Sequence, residues 1–241
     1  MSNVIKEFSR FAHQYDKHNE IQAQVAKTLV ERILLEELPK KSSNNLLDLG
    51  CGSGAIAKNL RANKYIYNSL TAFDSSQEML NIHPNSTNII KICADFNNKD
   101  FIKLLPYQKY DFIISSSALQ WSRDLNQIFL QLSNLSNYAY FAIFTSGTFS
   151  TLHHTAKIDS PIYSAKDIEE SISKHYKNVE FELNRYSLHF NSVREMFQYI
   201  KKSGVSAGEK KLGFKETKRL MESYPLDYLE FEVLFVKAEN M

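Results

Sequence analysis

The sequence predicts a doubly wound α/β domain, and two observations support that fold class. Between residues 46 and 145, short apolar runs alternate with helical patterns, as expected when helices cover both faces of a parallel sheet. A turn with glycine at positions 50, 52 and 54 joins the first apolar run to a helix, at the place where open α/β sheets bind ligands. The 241 residues are enough for one such domain with appended segments.

The individual elements are predicted from local patterns. Five short apolar runs predict parallel strands, at 46–49, 70–74, 89–94, 110–115 and 138–145. Helical periodicity or a capping residue predicts helices at 21–38, 55–62, 76–81 and 125–135, and two more that begin at the capping boxes of Ser164 and Ser192. Two longer runs, 179–190 and 228–237, alternate apolar and polar residues, so the second is expected to lie antiparallel at the sheet edge or beside it.

Composition narrows the classes of function. The chain has 43% hydrophobic and 23% charged residues, as ordinary soluble proteins do, and its net charge of +2 is too small to indicate nucleic-acid binding. The N-terminus lacks the apolar core of a signal peptide and no run is long enough to span a membrane, so we expect a cytoplasmic protein without a membrane partner. The histidines and cysteines show no metal or triad spacing. We therefore expect no metal site, histidines at the surface or in packing, and two buried free thiols.

The glycine turn is the main indicator of a ligand site. Its pattern, Asp48-x-Gly50-x-Gly52-x-Gly54, matches neither the dinucleotide fingerprint G-x-G-x-x-G nor the phosphate loop G-x-x-x-x-G-K-[ST]. Glycine at these positions lets a ligand approach the backbone closely, beside the amides of the helix N-terminus. Asp74 ends the second predicted strand, where a carboxylate can accept hydrogen bonds from both hydroxyls of a ribose. The alternative is a tight strand-to-helix connection without a ligand.

This glycine pattern resembles the first motif of the class I S-adenosylmethionine-dependent methyltransferases, whose sheet is Rossmann-like. The resemblance implies S-adenosylmethionine as the cofactor. It also implies that Asp95 and Phe96, after the third strand, contact the adenine, and that Ser116 and Gln120 contact the cofactor after the fourth. Trp121 is either a wall of the ligand site or a core residue. The remaining predicted cofactor contacts lie near these motifs or in the first long helix: Gln22, Cys51, Ser75 and Met79.

Further segments resemble the malonyl-[acyl-carrier protein] O-methyltransferases of biotin synthesis. They lie at residues 8–22, 111–121, 148–153, 196–205 and 224–228, so the resemblance covers nearly the whole chain. It implies methylation of the free carboxyl of a malonyl thioester, on acyl carrier protein or CoA, as the first step of pimeloyl formation. It also implies that Tyr15 lies near the methyl-transfer centre. Because no arginine occurs between 139 and 157, Arg10 and Lys201 are the candidate partners of the malonyl carboxylate.

The same resemblance divides the single domain into parts. Residues 1–40 are expected to form an N-terminal helical lid, 45–190 and 226–240 the Rossmann-like core, and 191–225 a helical cap insertion. Between 201 and 219 the cap carries seven basic residues against two acidic ones. Such a surface can attract an acidic carrier protein, although an ordinary solvated helix face has a similar composition.

Two other functions fit the same residues. One is a methyltransferase of this fold that acts on another small carboxylic acid or a quinol, and the other is a non-catalytic regulator that binds S-adenosylmethionine. The acids Asp48, Asp74 and Asp95 are all present, which argues against a decayed site but does not separate the two enzymes. Methyl transfer to an ionised carboxylate needs alignment and exclusion of water more than a strong base, so the lack of a catalytic triad is compatible with catalysis.

Overall fold

The computed structural model describes residues 19–37, 42–202 and 213–240. Its strands are β1 (Ser42–Leu49), β2 (Ile66–Asp74), β3 (Ile89–Cys93), β4 (Phe112–Ser116), β5 (Tyr138–Phe144), β6 (Asn178–His189) and β7 (Tyr228–Glu239). Its α-helices are α1 (Glu20–Glu37), α2 (Ala55–Ala62), α3 (Gln77–Ile82), α4 (Leu125–Leu135), α5 (Ser150–Ala156), α6 (Ala165–Ile172), α7 (Val193–Lys202) and α8 (Phe214–Ser223). Short 3₁₀ helices lie at Phe101–Leu104 and Leu119–Trp121.

The strands of the described chain form one seven-stranded sheet in the order β3-β2-β1-β4-β5-β7-β6. Strands β1 to β5 run parallel, and β7 is antiparallel to both β5 and β6. This arrangement confirms the predicted α/β fold with an antiparallel last strand, which lies beside the edge strand β6. The chain order reverses between β1 and β4, so their carboxyl ends border the crevice in which such sheets bind ligands.

Strands β1 and β2 begin earlier than the apolar pattern predicts, at Ser42 and Ile66 rather than at positions 46 and 70. Backbone pairing continues through polar residues there, since Asn45 lies opposite Ser69. Polar residues at the end of a sheet carry no apolar signal, although their backbone groups complete the ladder of hydrogen bonds. The first four residues of β1 therefore give no hydrophobic signal, and in β2 the polar pair Asn68 and Ser69 interrupts it.

Helix α1 is a core element of the layer that covers one face of the sheet. Its apolar residues recur at helical spacing and are buried in one cluster with side chains of β4, β5 and α2: Ile21, Val25, Leu29, Val30 and Ile33. The described half of the predicted 1–40 lid is thus a helix packed on the sheet. Residues 1–18, with Arg10 and Tyr15, lie outside the described residues. The division into lid, core and cap stays a prediction.

The opposite face of the sheet is covered by α4 and α6. The ring centroids of Phe129 in α4 and Phe141 in β5 lie 5.7 Å apart, and apolar residues of α6 are buried in the same cluster. Helix α6 begins with the predicted capping box. The Asp167 amide donates to Ser164 Oγ, and the Ser164 amide donates to the Asp167 carboxylate, both at 3.1 Å. This pair of bonds satisfies two amides that the helix itself cannot pair.

Helices α7 and α8 join the apolar cluster of α1, through buried residues such as Met196 and Leu220. The capping box predicted at the start of α7 is half formed. The Glu195 amide donates to Ser192 Oγ at 3.2 Å, whereas the Glu195 carboxylate accepts from the amide of Asn191. Within the described ranges, no helix has the length and apolar content needed to cross a membrane.

Candidate active site

The glycine turn between β1 and α2 has the backbone that its sequence requires. Gly50, Gly52 and Gly54 have φ angles of 76°, 51° and 85°, in the left-handed region that favours glycine. A Cβ on Gly50 would overlap the side chain of Ala118, and one on Gly54 would lie 2.5 Å from Pro84 Cδ. A Cβ on Gly52 would meet nothing within 4 Å. Two of the glycines thus serve packing, and Gly52 faces open space that a ligand can enter.

Asp74, at the carboxyl end of β2, is fixed beside this turn. Its Oδ2 accepts from the Gly52 amide at 2.9 Å, and its Oδ1 accepts from the Ser76 amide at 2.8 Å. Burial raises the pKa of Asp74, while these backbone amides lower it. A carboxylate has about four lone-pair sites, so Asp74 keeps capacity for further donors such as ribose hydroxyls. The predicted role of Asp74 stays a prediction, now with a fixed position.

Asp48, near the end of β1, is a buried carboxyl group without a partner. Its side chain is 1% exposed, and neither carboxyl oxygen has a hydrogen-bond partner among the described residues. Burial, followed by the charge of Asp74, raises the pKa of Asp48 to about 8. A buried carboxyl of this kind is strongly stabilised by a cationic ligand, because the ion pair removes the cost of an unpaired buried charge. The arrangement therefore fits a positively charged group at the carboxyl ends of β1 and β2.

The other predicted cofactor residues lie at neighbouring strand ends. Asp95 follows β3 and accepts from the Asn97 amide at 2.9 Å, and the adjacent Phe96 is half-buried. Cys51 packs in a small buried cluster with alanine and leucine side chains, so its thiol serves the core. Three further predicted cofactor residues are a half-buried serine, a buried methionine and a half-buried serine at the end of β4: Ser75, Met79 and Ser116.

The two cysteines differ in exposure, which corrects one expectation. Both are free thiols, but only Cys51 is buried, and Cys93 is exposed. Cys93 is the last residue of β3, the strand at one edge of the sheet. An edge strand has a neighbour on one side only, so its last side chain is less covered than that of a central strand. Among the described residues, no group of histidines, cysteines and acids could hold a metal ion.

A cleft opens at the carboxyl ends of β4 and β5 and encloses about 490 Å³ of empty space, including its mouth. The wall combines residues from α1, from the segment after β4 and from the segment after β5: Gln22, Ser117, Gln120, Trp121, Phe144, Thr148, Phe149, His153, Ser160, Pro161 and Ile162. The cleft adjoins the glycine turn, because Ala118 follows Ser117 and packs against Gly50.

Several polar atoms in this wall are buried without a hydrogen-bond partner in the described chain. They belong to two amides, two hydroxyls, an indole and an imidazole: Gln22 Oε1, Gln120 Oε1, Ser117 Oγ, Ser160 Oγ, Trp121 Nε1 and His153 Nδ1. Native structures pair most buried polar groups, so this concentration of unpaired atoms makes the cleft the candidate ligand site. Two wall residues, Ser117 and Phe149, also have left-handed backbones, with φ angles of 60° and 58°. Such strain in non-glycine residues is concentrated at functional sites.

The structure brings some of the predicted residues together and leaves others undescribed. Gln22, Gln120 and Trp121 share the cleft, although α1 and the segment after β4 are far apart in sequence. Trp121 is thus half-buried in a wall, with an unpaired Nε1, rather than buried in the core. The side chain of Lys201 lies outside the described residues, like Tyr15 and Arg10, although the backbone of Lys201 is in α7.

His153 and Ser160 are among the cleft residues that the sequence analysis did not assign to the site. His153 was expected at the surface or in packing, because a single histidine without metal or triad spacing gives no local signal. Ser160 lies in an irregular segment that has no motif. The signal that could have found His153 is its position in the segment that follows β5, since the carboxyl ends of parallel strands meet at one edge of the sheet.

Comparisons with known proteins agree with this geometry. A family model described as a methyltransferase domain matches residues 15–204. A malonyl-[acyl-carrier protein] O-methyltransferase of Acetivibrio thermocellus is 29% identical, in an alignment that covers 90% of this chain and 83% of that protein.

Solved structures share the fold. A chain from the Haloferax volcanii complex between the Trm112 methyltransferase activator and a methyltransferase has a TM-score of 0.62 at 16% identity, covering 97% of this chain and 98% of that chain. Phosphoethanolamine N-methyltransferase 2 of Haemonchus contortus, solved with S-adenosyl-L-methionine, has a TM-score of 0.51 at 13% identity, covering 83% of this chain and 50% of that chain. At these identities the likeness establishes the fold alone.

Proposed function

We infer, because this chain belongs to the methyltransferase domain family, that it transfers a methyl group from S-adenosylmethionine to the free carboxylate of a malonyl thioester on an acyl carrier protein. Membership of the methyltransferase domain family confirms the predicted enzyme class and, with it, the cofactor. The acceptor is supported by the name of the Acetivibrio thermocellus relative, which aligns with 90% of this chain. The reaction would be the first step of pimeloyl formation, as the resemblance to enzymes of biotin synthesis implies.

The residues at the strand ends fit this cofactor. The unpaired carboxyl of Asp48 suits a positively charged amino-acid group, and the open space at Gly52 admits a ligand to the backbone. Asp74 has lone pairs left for ribose hydroxyls, and we propose that Asp95 and Phe96 contact the adenine. When bound, S-adenosylmethionine supplies a methyl group on a positively charged sulfur, which leaves as a neutral thioether.

The observation that carries the proposal is the cleft of unpaired polar atoms beside the glycine turn. A carboxylate acceptor is already ionised at neutral pH, so the reaction needs no general base. The chain therefore has to align the acceptor and exclude water, and a partly enclosed cleft can do both. We propose that Tyr15 closes the site and that the positive charges of Arg10 and Lys201 attract the malonyl carboxylate towards it. We also propose that the basic residues of the cap attract the acidic carrier.

The test is methyl transfer from labelled S-adenosylmethionine to a set of acceptors. The set contains malonyl-carrier protein, malonyl-CoA, acetyl-carrier protein as a control without a free carboxylate, and other small acids and quinols. We expect a base-labile methyl ester on the malonyl thioesters and none on the acetyl thioester. Transfer only to another acid or a quinol would replace the acceptor, and cofactor binding without any transfer would point to the regulator.

A further inference from the structure

We propose that Trp121, His153 and Ser160 bind the acceptor carboxylate through uncharged hydrogen-bond donors, where a carboxylate more often meets an arginine or a lysine. The inference rests on the proposed function, because it names the groups that recognise the acceptor in the same cleft. In the described part of the chain, no lysine or arginine lines that cleft. Among the residues that the structure describes, the groups that can recognise an acceptor there are therefore polar groups without a full charge.

The three side chains present buried polar atoms that lack partners within the described chain: Trp121 Nε1, His153 Nδ1 and Ser160 Oγ. A buried donor without an acceptor is destabilising, so native structures rarely place several of them around one space. The indole N–H can only donate, and a hydroxyl can donate in any free direction. An acceptor-rich group is therefore the kind of ligand that these three donors suit.

His153 can act as a donor without being charged. Burial lowers the pKa of His153, so the imidazole is neutral at neutral pH. The neutral ring carries one proton, and the tautomer protonated at Nδ1 places a donor in the cleft. A carboxylate with about four lone-pair sites can accept from the indole, the imidazole and the hydroxyl and still present a free lone pair for attack.

Uncharged donors suit this reaction better than a full ion pair. The carboxylate oxygen forms the new bond to the methyl carbon while the bond from sulfur to that carbon breaks, and no proton moves. An arginine would hold the anion strongly and reduce its reactivity, whereas neutral donors orient it at a smaller cost. The product is a neutral ester, which is a weaker acceptor than the carboxylate and is released more easily.

The position of His153 is set by contacts with β7. The Phe149 amide donates to the Glu230 carbonyl at 2.9 Å, and Phe149 itself has the left-handed backbone described above. The amide and the hydroxyl of Thr151 both donate to the Glu230 carboxylate, each at 2.9 Å. These bonds hold the first turn of α5 on the sheet, and His153 lies in that turn's continuation. The donor is thus pre-positioned rather than recruited from a free loop.

The test uses Trp121→Phe, His153→Phe and Ser160→Ala, each of which removes one donor and keeps most of the packing. We expect the KM for the malonyl thioester to rise by about tenfold to one hundredfold, the range for hydrogen bonds to a charged group. The kcat and the calorimetric affinity for S-adenosylmethionine should change little, which a general loss of structure would not reproduce. The matched control is His154→Phe, because His154 is the next residue of α5 and is exposed.

A binding measurement separates this inference from the proposed function. With S-adenosylhomocysteine present, calorimetry should show that the wild type prefers malonyl-CoA over its methyl ester and that the Trp121→Phe and His153→Phe variants lose this preference. If the wild type methylates malonyl thioesters and both variants keep its KM, the proposed binding of the carboxylate by Trp121 and His153 is wrong and the proposed function stands. If the wild type transfers no methyl group but the variants lose affinity for malonate, the proposed methyl acceptor is wrong and the proposed carboxylate-binding residues stand. Unchanged malonate affinity in that case overturns both.

Discussion

The buried carboxyl of Asp48 should make the ligand-free protein lose stability as the pH rises, and Asp48→Asn should remove most of that loss. The pKa of Asp48 is raised from 3.8 in the unfolded chain to about 8 in the fold. Between these values the unfolded state releases the proton and the native state keeps it. The native state therefore binds more protons, and the free energy of unfolding falls with increasing pH through this window.

The size of this change in the free energy of unfolding follows from the pKa shift of Asp48. A fully developed difference of one proton changes the free energy of unfolding by about 1.4 kcal/mol per pH unit. Between pH 5 and pH 7 the wild type should thus lose about 3 kcal/mol relative to Asp48→Asn. Below the unfolded pKa both states are protonated, so the difference should vanish there. Asparagine cannot ionise, and it has nearly the same shape.

The assay is urea unfolding of the protein without S-adenosylmethionine, followed by circular dichroism at several pH values from 4 to 8. Asp100→Asn is the control, because Asp100 is exposed and its Oδ1 lies 2.8 Å from Lys103 Nζ. That variant should keep the wild-type dependence on pH. Equal slopes for the wild type and Asp48→Asn would refute the reasoning, since they would mean that Asp48 ionises as easily in the fold as in the unfolded chain.

Three further perturbations test other parts of the site. Asp74→Ala should weaken S-adenosylmethionine binding by about 1.5–3 kcal/mol in calorimetry, and an unchanged affinity would exclude a ribose contact. Gly52→Val should abolish S-adenosylmethionine binding, because the added side chain enters the open space that the ligand needs. The free energy of unfolding should fall by only about 1–2 kcal/mol, the cost of a left-handed backbone for a residue other than glycine. Retained binding would mean that Gly52 serves the turn alone. Replacing the exposed Lys215 and Arg219 by glutamate should raise the KM for malonyl-carrier protein and reduce the salt dependence of that KM. The kinetics with malonyl-CoA should stay unchanged. Equal effects on both acceptors would argue against binding of the carrier protein at the basic cap.

The sequence by itself determined the sheet and the turn, because both depend on neighbours in the chain. Short apolar runs with helices between them predict parallel strands, and glycine at alternate positions after a strand predicts left-handed backbone. The acid that ends β2 could likewise be located from its strand alone. Its contact with the Gly52 amide follows from the pairing of β1 with β2, in which Asp48 lies opposite Ala72.

Only the tertiary structure determines which residues line the cleft. Gln22, Trp121 and His153 come from three separate segments, and none of them has a local pattern that marks a ligand site. It also determines which glycine faces open space. Gly50 and Gly54 pack against Ala118 and Pro84, whereas a Cβ on Gly52 would meet nothing within 4 Å. The exposure of Cys93 depended in the same way on the position of β3 at the sheet edge. Backbone conformation and strand formation are set by nearby residues, whereas burial and the pairing of polar atoms are set by whichever segments the completed fold brings together.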